Sequence, residues 1–127
     1  MTRTVETDGS PRKRVLVVDD DKPVRGLVRA LLRRENVEID ECDGGDEALL
    51  LLDRNHYHVV ILDLEMPRGS GLAVLERLKS RGQPCAIVMS AGTRKTLDAL
   101  NAECIYVVFQ KPFDITSMLE AVRSCLG

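Results

Sequence analysis

Aromatic residues are scarce in this chain, at 3% of 127 residues, with two Tyr, two Phe and no Trp. A stacking platform for single-stranded nucleic acid needs such rings, so that class of function has little support. Charge of one sign is lacking too. Eighteen Lys and Arg against 20 Asp and Glu leave a net charge of −2. Nothing global draws the chain to nucleic acid or to an anionic membrane. Apolar stretches such as Ala48 to Leu52 fall far short of the ~20 residues that cross a bilayer. No apolar signal core opens the sequence. The four cysteines, Cys42, Cys85, Cys104 and Cys125, form no CxxC pair, which leaves a zinc or dithiol site without support. Free thiols in a reducing, cytoplasmic compartment are expected.

What is present fits one domain, since such units span ~50–250 residues and bury a core without disulfide staples. The composition, 44% hydrophobic and 30% charged, is ordinary for a globular protein. Residues 1–13 are polar, broken by Gly9-Ser10-Pro11, and read as a flexible tail; the domain is expected over 14–127. From Val15 onward, strand and helix patterns alternate. Val24, Leu27, Val28, Leu31 and Leu32 follow a helical face, with Asp21 as cap and Pro23 in the first turn. Val37 to Cys42 alternates weakly, as an edge strand does. A second helix opens at Gly45. Val59 to Leu62 is apolar without alternation, as in a strand buried on both faces. A third helix turns Leu72, Leu75 and Leu78 inward and stops near Gly82. Strand Ala86–Met89, a weakly apolar helix over 93–103, strand Ile105–Phe109 and a last helix capped by Asp114 complete the series. The face of that last helix is Ile115, Met118, Leu119, Val122 and Leu126. The pattern is (βα)₅: an α/β, doubly wound, parallel five-stranded sheet with right-handed crossovers.

Parallel strands bring their C-terminal ends to one edge, and four of these strands stop at reactive side chains. Val15–Val18 runs into Asp19-Asp20-Asp21. Val59–Leu62 ends at Asp63, and Ala86–Met89 at Ser90. Ile105–Phe109, then Gln110, leads to Lys111-Pro112. Three carboxylates ~5 Å apart repel by about 3 kcal/mol per pair at an effective dielectric of ~20, unless a cation sits among them. Carboxylates with room for water and phosphate oxygens suit Mg²⁺. Lys111 adds a positive charge and Ser90 a donor. Metal, cation, donor and anionic nucleophile together match the needs of phosphoryl transfer. Singly, each residue reads as a turn, cap or surface group; their order at successive strand ends is what carries weight. His56 and His58 fall at the opposite edge and read as surface residues.

The motifs Val17-Val18-Asp19-Asp20, Gly45-Asp46-Glu47-Ala48, Ile61-Leu62-Asp63-Leu64-Glu65-Met66-Pro67, Gly69-Ser70-Gly71, Ser90-Ala91 and Lys111-Pro112-Phe113 are specific together. Through them the chain resembles a response-regulator receiver domain over residues 14–127. The resemblance implies a flavodoxin-like sheet of order 2-1-3-4-5. It implies that Asp63 accepts a phosphoryl group from the phosphohistidine of a histidine kinase or phosphotransfer protein. Asp20 and Asp63 would ligate Mg²⁺, Asp19 would act mainly through water, and Glu65 would offer its backbone carbonyl. Ser90 and Lys111 would bind the phosphoryl group, and the Lys111–Pro112 peptide would be cis. The implied role is that of a phosphoacceptor signalling domain rather than a turnover enzyme, with slow autodephosphorylation. A downstream protein would dock on the face made by the fourth predicted helix, fifth strand and last helix. No direct nucleic-acid or membrane contact is implied.

Two departures stand out. Receiver domains usually carry Tyr or Phe three residues before the lysine, where its rotation reports phosphorylation; here that position is Val108. The usual Gly-Ala before the fifth strand is replaced by Glu103-Cys104. An interaction module with output independent of phosphorylation is therefore one rival reading. An aspartyl-phosphate phosphatase, suggested faintly by Asp63-Leu64-Glu65, is another. A receiver excised from a longer regulator would share the first reading's chemistry.

Overall fold

The computed structural model describes residues 12–67, 71–81, 85–92 and 105–127. The expectations for residues 1–11, Gly69-Ser70, Gly82, the helix over 93–103 and Glu103-Cys104 lie outside the described residues. The strands are β1 (Lys13–Val18), β2 (Val37–Cys42), β3 (Val59–Asp63), β4 (Cys85–Ser90) and β5 (Ile105–Gln110). The described helices are α1 (Lys22–Leu31), α2 (Gly45–Arg54), α3 (Gly71–Arg81) and, after β5, α4 (Ile115–Leu126). All strand pairs are parallel and the sheet order is β2-β1-β3-β4-β5. Pairing with β2 carries β1 back to Lys13, two residues ahead of its apolar run.

Alternate residues of the central strands feed two cores, because successive side chains of a strand leave opposite faces. Leu16 and Val18 of β1 and Val60 and Leu62 of β3 pack with Ala48, Leu52, Val74, Leu75 and Leu78 from α2 and α3. Val15, Val17, Val59 and Ile61 pack with Val28 of α1 and Met118, Ala121 and Val122 of α4. All five residues of β3 are buried, which explains its unbroken apolar sequence. Side-chain caps close two helix starts as expected: Asp21 accepts from the Val24 N–H at 3.4 Å and Asp114 from the Ser117 N–H at 2.9 Å. Among the described residues, no helix is long and apolar enough to cross a membrane.

Three expectations about helix faces need correction. Leu27, Leu72 and Ile115 are exposed, at 43%, 52% and 45%. In α3 the buried set is Gly71, Val74, Leu75 and Leu78. A run of i, i+3, i+6 drifts by about 60° per step at 3.6 residues per turn, so Leu72 leaves a face centred on Val74 and Leu78. The cysteine reading also changes. Cys85, opening β4, and Cys125, near the end of α4, are joined by a disulfide, while Cys42 is free and buried. Their separation of 40 residues hides a shared corner of the fold that spacing rules do not detect.

The β4–β5 pairing contains an irregularity. Ala86 pairs with Ile105 and Ile87 with Val107, so Tyr106 is an extra residue on β5. It stands 53% exposed. The bulge resets the alternation: Ile105 and Val108 pack toward the α2–α3 core, Val107 and Phe109 toward the other.

Candidate functional site

The C-terminal edge of the sheet gathers the residues picked out from the sequence. Asp63 is the last residue of β3, Ser90 the last of β4, and Asp19 and Lys111 follow β1 and β5 directly. Backbone bonds hold these ends in step: Asp19 N–H to the Cys42 carbonyl (3.1 Å), Leu64 N–H to Met89 (3.0 Å) and Lys111 N–H to Ser90 (2.8 Å). The Lys111–Pro112 peptide is cis, as the resemblance implied.

Asp19, Asp63 and Ser90 are buried, at 0%, 2% and 0% exposure, while Asp20 is exposed. One oxygen from each of Asp19, Asp20 and Asp63 lies within 4.8 Å of the others. The Lys111 ammonium bridges Asp19 Oδ2 at 3.1 Å and Asp63 Oδ2 at 3.2 Å. The remaining oxygens of the buried pair take backbone donors. Asp21 N–H reaches Asp19 Oδ1 at 2.9 Å and Glu65 N–H reaches Asp63 Oδ1 at 3.1 Å.

One lysine does not balance this site. Burial, then the negative charge of Asp19, pushes the Asp63 carboxyl up to about 6, against the pull of the Glu65 N–H and Lys111. Burial also works against the Lys111 ammonium, but its bonds to Asp19 and Asp63 outweigh this and raise its pKa. Two buried carboxylates share the Lys111 ammonium, and a third carboxylate lies at the mouth. An oxygen-ligated divalent ion therefore fits the donor set.

The Glu65 side chain makes contacts that the resemblance did not assign to it. Its carboxylate lies across the mouth, accepting the Ser90 hydroxyl at 2.6 Å and the Ala91 N–H at 2.7 Å. Gly92 N–H donates back to Ser90 Oγ at 2.9 Å. Arg25 was not legible as a site residue. Its guanidinium donates to the Asp19 carbonyl at 2.6 Å and to Glu41 at 3.1 Å, bracing the acidic turn from α1 and β2. Nothing in its spacing marks it. Val108, paired with Val88, holds the expected switch position, partly buried. His56 and His58 sit at the far edge, where His58 Nδ1 accepts from the Arg14 N–H at 3.1 Å.

Gly71 shapes the site from below. A Cβ there would meet the Asp63 carbonyl at 2.6 Å and the Leu64 Cα at 2.7 Å. These are backbone atoms of the acceptor turn, with no rotamer to yield. Gly71→Ala is expected to destabilise the fold by about 3 kcal/mol, as overpacking against fixed atoms does. Urea unfolding would measure it; a loss under 1 kcal/mol would mean the α3 start retreats without strain.

With this geometry in view, comparison with known proteins gives one family. The family model described as the response regulator receiver domain matches residues 15–123. The chain belongs to that family. Among curated proteins, the transcriptional regulatory protein DltR of Streptococcus agalactiae is 31% identical over 114 residues, covering 87% of this chain and 50% of DltR. The transcriptional regulatory protein SrrA of Staphylococcus aureus is 35% identical over 115 residues, covering 88% of this chain and 47% of SrrA. The receiver domain thus spans about half the length of these regulators. Among solved structures, the response regulator TrrA of Thermotoga maritima, crystallised with Mg²⁺ and BeF, superposes with a TM-score of 0.78 at 32% identity. That match covers 89% of this chain and 98% of TrrA. The receiver fold of order 2-1-3-4-5 expected from the sequence is the one observed.

Proposed function

We propose that this receiver domain accepts a phosphoryl group on Asp63, with Mg²⁺, from the phosphohistidine of a histidine kinase or phosphotransfer protein. The resulting charge would switch the binding of a downstream protein. One observation carries this reading. Asp63 is a buried carboxylate at a strand end, bridged by Lys111 to a second buried carboxylate.

The residues divide the work. Asp63, whose pKa of about 6 leaves it mainly ionised at neutral pH, supplies the nucleophilic oxygen. As its bond to phosphorus forms, the phosphorus–nitrogen bond of the donor breaks. The electron pair stays on the imidazole nitrogen, which takes a proton from solvent. Lys111 pairs first with Asp63 and then with a phosphoryl oxygen, and the Ser90 hydroxyl donates to another. When bound, Mg²⁺ supplies positive charge for the phosphoryl oxygens. Asp20, Asp63 and the Glu65 carbonyl are the groups proposed to hold it. Asp19, buried and bonded to the Asp21 N–H and Lys111, is proposed to act mainly through water. TrrA, crystallised with Mg²⁺ and BeF, supports the ion as a ligand of this class of site. The reading is a phosphoacceptor rather than a turnover enzyme, with slow loss of the phosphoryl group. A phosphotransfer profile against candidate kinases tests it, with transfer to the wild-type chain expected and none to Asp63→Asn.

The proposed docking face joins β5 and α4 to the segment 93–103, which lies outside the described residues. Direct nucleic-acid contact by this domain is not proposed, since its net charge is −2. In a longer protein, an effector segment could add such contact, as the names of DltR and SrrA suggest. One observation favours a second reading, output independent of phosphorylation: Val108 has no ring to rotate. Partner binding unchanged by beryllofluoride, a phosphoryl mimic, would support that alternative.

A cytoplasmic location is part of the proposal. A Cys85–Cys125 bond is uncommon in a reducing compartment. The bond in the structure therefore counts against this placement, and differential alkylation of the protein drawn from cells decides it: both residues recovered as thiols would keep the placement, and a linked pair would overturn it.

A further inference from the structure

The Glu65 carboxylate stands in an unfavourable place by charge alone. It is two residues from Asp63, at the rim of a site that already holds Asp19 and Asp20. Two short bonds hold it there, from the Ser90 hydroxyl at 2.6 Å and the Ala91 N–H at 2.7 Å. Both donors flank the C-terminal end of β4, beside the acceptor turn. A serine hydroxyl has one hydrogen to give. Because Gly92 N–H donates to Ser90 Oγ, the hydroxyl is fixed as an acceptor on one side and committed to Glu65 on the other. A phosphoryl oxygen needing that hydrogen must take it from Glu65. Two anions also cannot crowd the same donors without repulsion. Glu65 is exposed, so its side chain has solvent to swing into.

We propose that the Glu65 side chain is a built-in competitor for the phosphoryl group: in the unphosphorylated protein it occupies Ser90 Oγ–H and Ala91 N–H, and phosphorylation proceeds by displacing it. This rests on the reading of Asp63 as phosphoacceptor. The backbone carbonyl of Glu65 serves a separate purpose and survives substitution of the side chain. Competition for two charge-assisted donors is a coupling between sites, so it works in both directions. The carboxylate lowers affinity for the phosphoryl group, and a bound phosphoryl mimic frees the carboxylate.

Beryllofluoride titration in saturating Mg²⁺, followed by amide NMR, tests this on the wild type, E65A, E65Q and Asp63→Asn. Truncation in E65A is expected to tighten beryllofluoride binding by about tenfold, from the two donors released. E65Q keeps an uncharged acceptor and should fall between. Without any mimic, the Ala91 amide proton in E65A should shift and exchange faster than in the wild type. Wild-type binding that E65A does not improve, or an Ala91 amide unmoved by E65A, overturns the competitor. Wild-type protein that binds no beryllofluoride, like Asp63→Asn, overturns the phosphoacceptor reading itself and the competitor with it.

Discussion

Asp63→Asn is expected to abolish acyl-phosphate formation while raising the stability of the metal-free fold at pH 7. The loss of labelling follows from removing the nucleophilic oxygen. The gain in stability follows from the charge balance around it. Burial and the nearby Asp19 raise the Asp63 pKa from 3.8 to about 6. A group with a raised folded-state pKa contributes stability below its unfolded value and loses it as pH rises through the folded one. Ionised Asp63 is therefore disfavoured in the metal-free protein at neutral pH, by up to about 3 kcal/mol. Asparagine removes the charge but also the Lys111 contact, so a net gain of about 1–2 kcal/mol is expected. Wild-type stability should fall between about pH 4 and pH 6 by a component that Asp63→Asn lacks. Thermal unfolding of both proteins in chelator across that range measures the difference. Equal pH profiles would contradict the assigned strain. A binding site that sacrifices stability for reactivity behaves this way.

Lys111→Met pulls in the opposite direction. The lysine is the shared counter-charge of Asp19 and Asp63, at 3.1 and 3.2 Å. Deleting one partner of a buried ion pair leaves charge uncompensated, at a cost of about 3–5 kcal/mol. Protonation of Asp63, eased by its raised pKa, relieves part of this, and about 2 kcal/mol of lost stability at pH 7 is expected. The deficit should shrink at pH 5, where the carboxyl takes up its proton. Mg²⁺ should also restore stability, since a ligand bound only by the native state stabilises it by mass action. The phosphorylation rate should fall by about 10²–10³, the loss typical of one charged donor at a reacting group. Rapid-quench phosphorylation and urea melts at the two pH values measure these effects. A variant as stable and as fast as wild type would remove Lys111 from the site.

The fold was legible because four of its strands are short apolar runs that stop at functional residues, and a parallel sheet brings such ends to one edge. β3 shows this most plainly: buried on both faces, it needs an unbroken apolar stretch, and Asp63 interrupts it where the site begins. What escaped were features set by packing rather than pattern. Leu72 obeys a three-residue spacing yet faces outward, since that spacing drifts around a helix. The Tyr106 bulge is invisible in a run of five apolar residues, because either parity of alternation looks apolar. Cys85 and Cys125 meet only after 40 residues of chain have closed a corner. The resemblance gave Glu65 a role through its backbone carbonyl. The grip of its side chain on Ser90 and Ala91 depends on where β4 ends relative to β3, which the sequence alone does not encode locally. Arg25 braces Asp19 through a carbonyl, a contact with no residue-type signature.

The most direct measurement is to trap the phosphorylated residue chemically. Phosphorylate the chain with a small phosphodonor and Mg²⁺, reduce with borohydride, and map the product by peptide mass spectrometry. An acyl phosphate on aspartate is reduced to homoserine, so the account predicts one homoserine per chain, at position 63, absent without Mg²⁺ and absent from Asp63→Asn. Homoserine at Asp19 or Asp20, or acid-stable phosphoryl label that persists in Asp63→Asn, would contradict it.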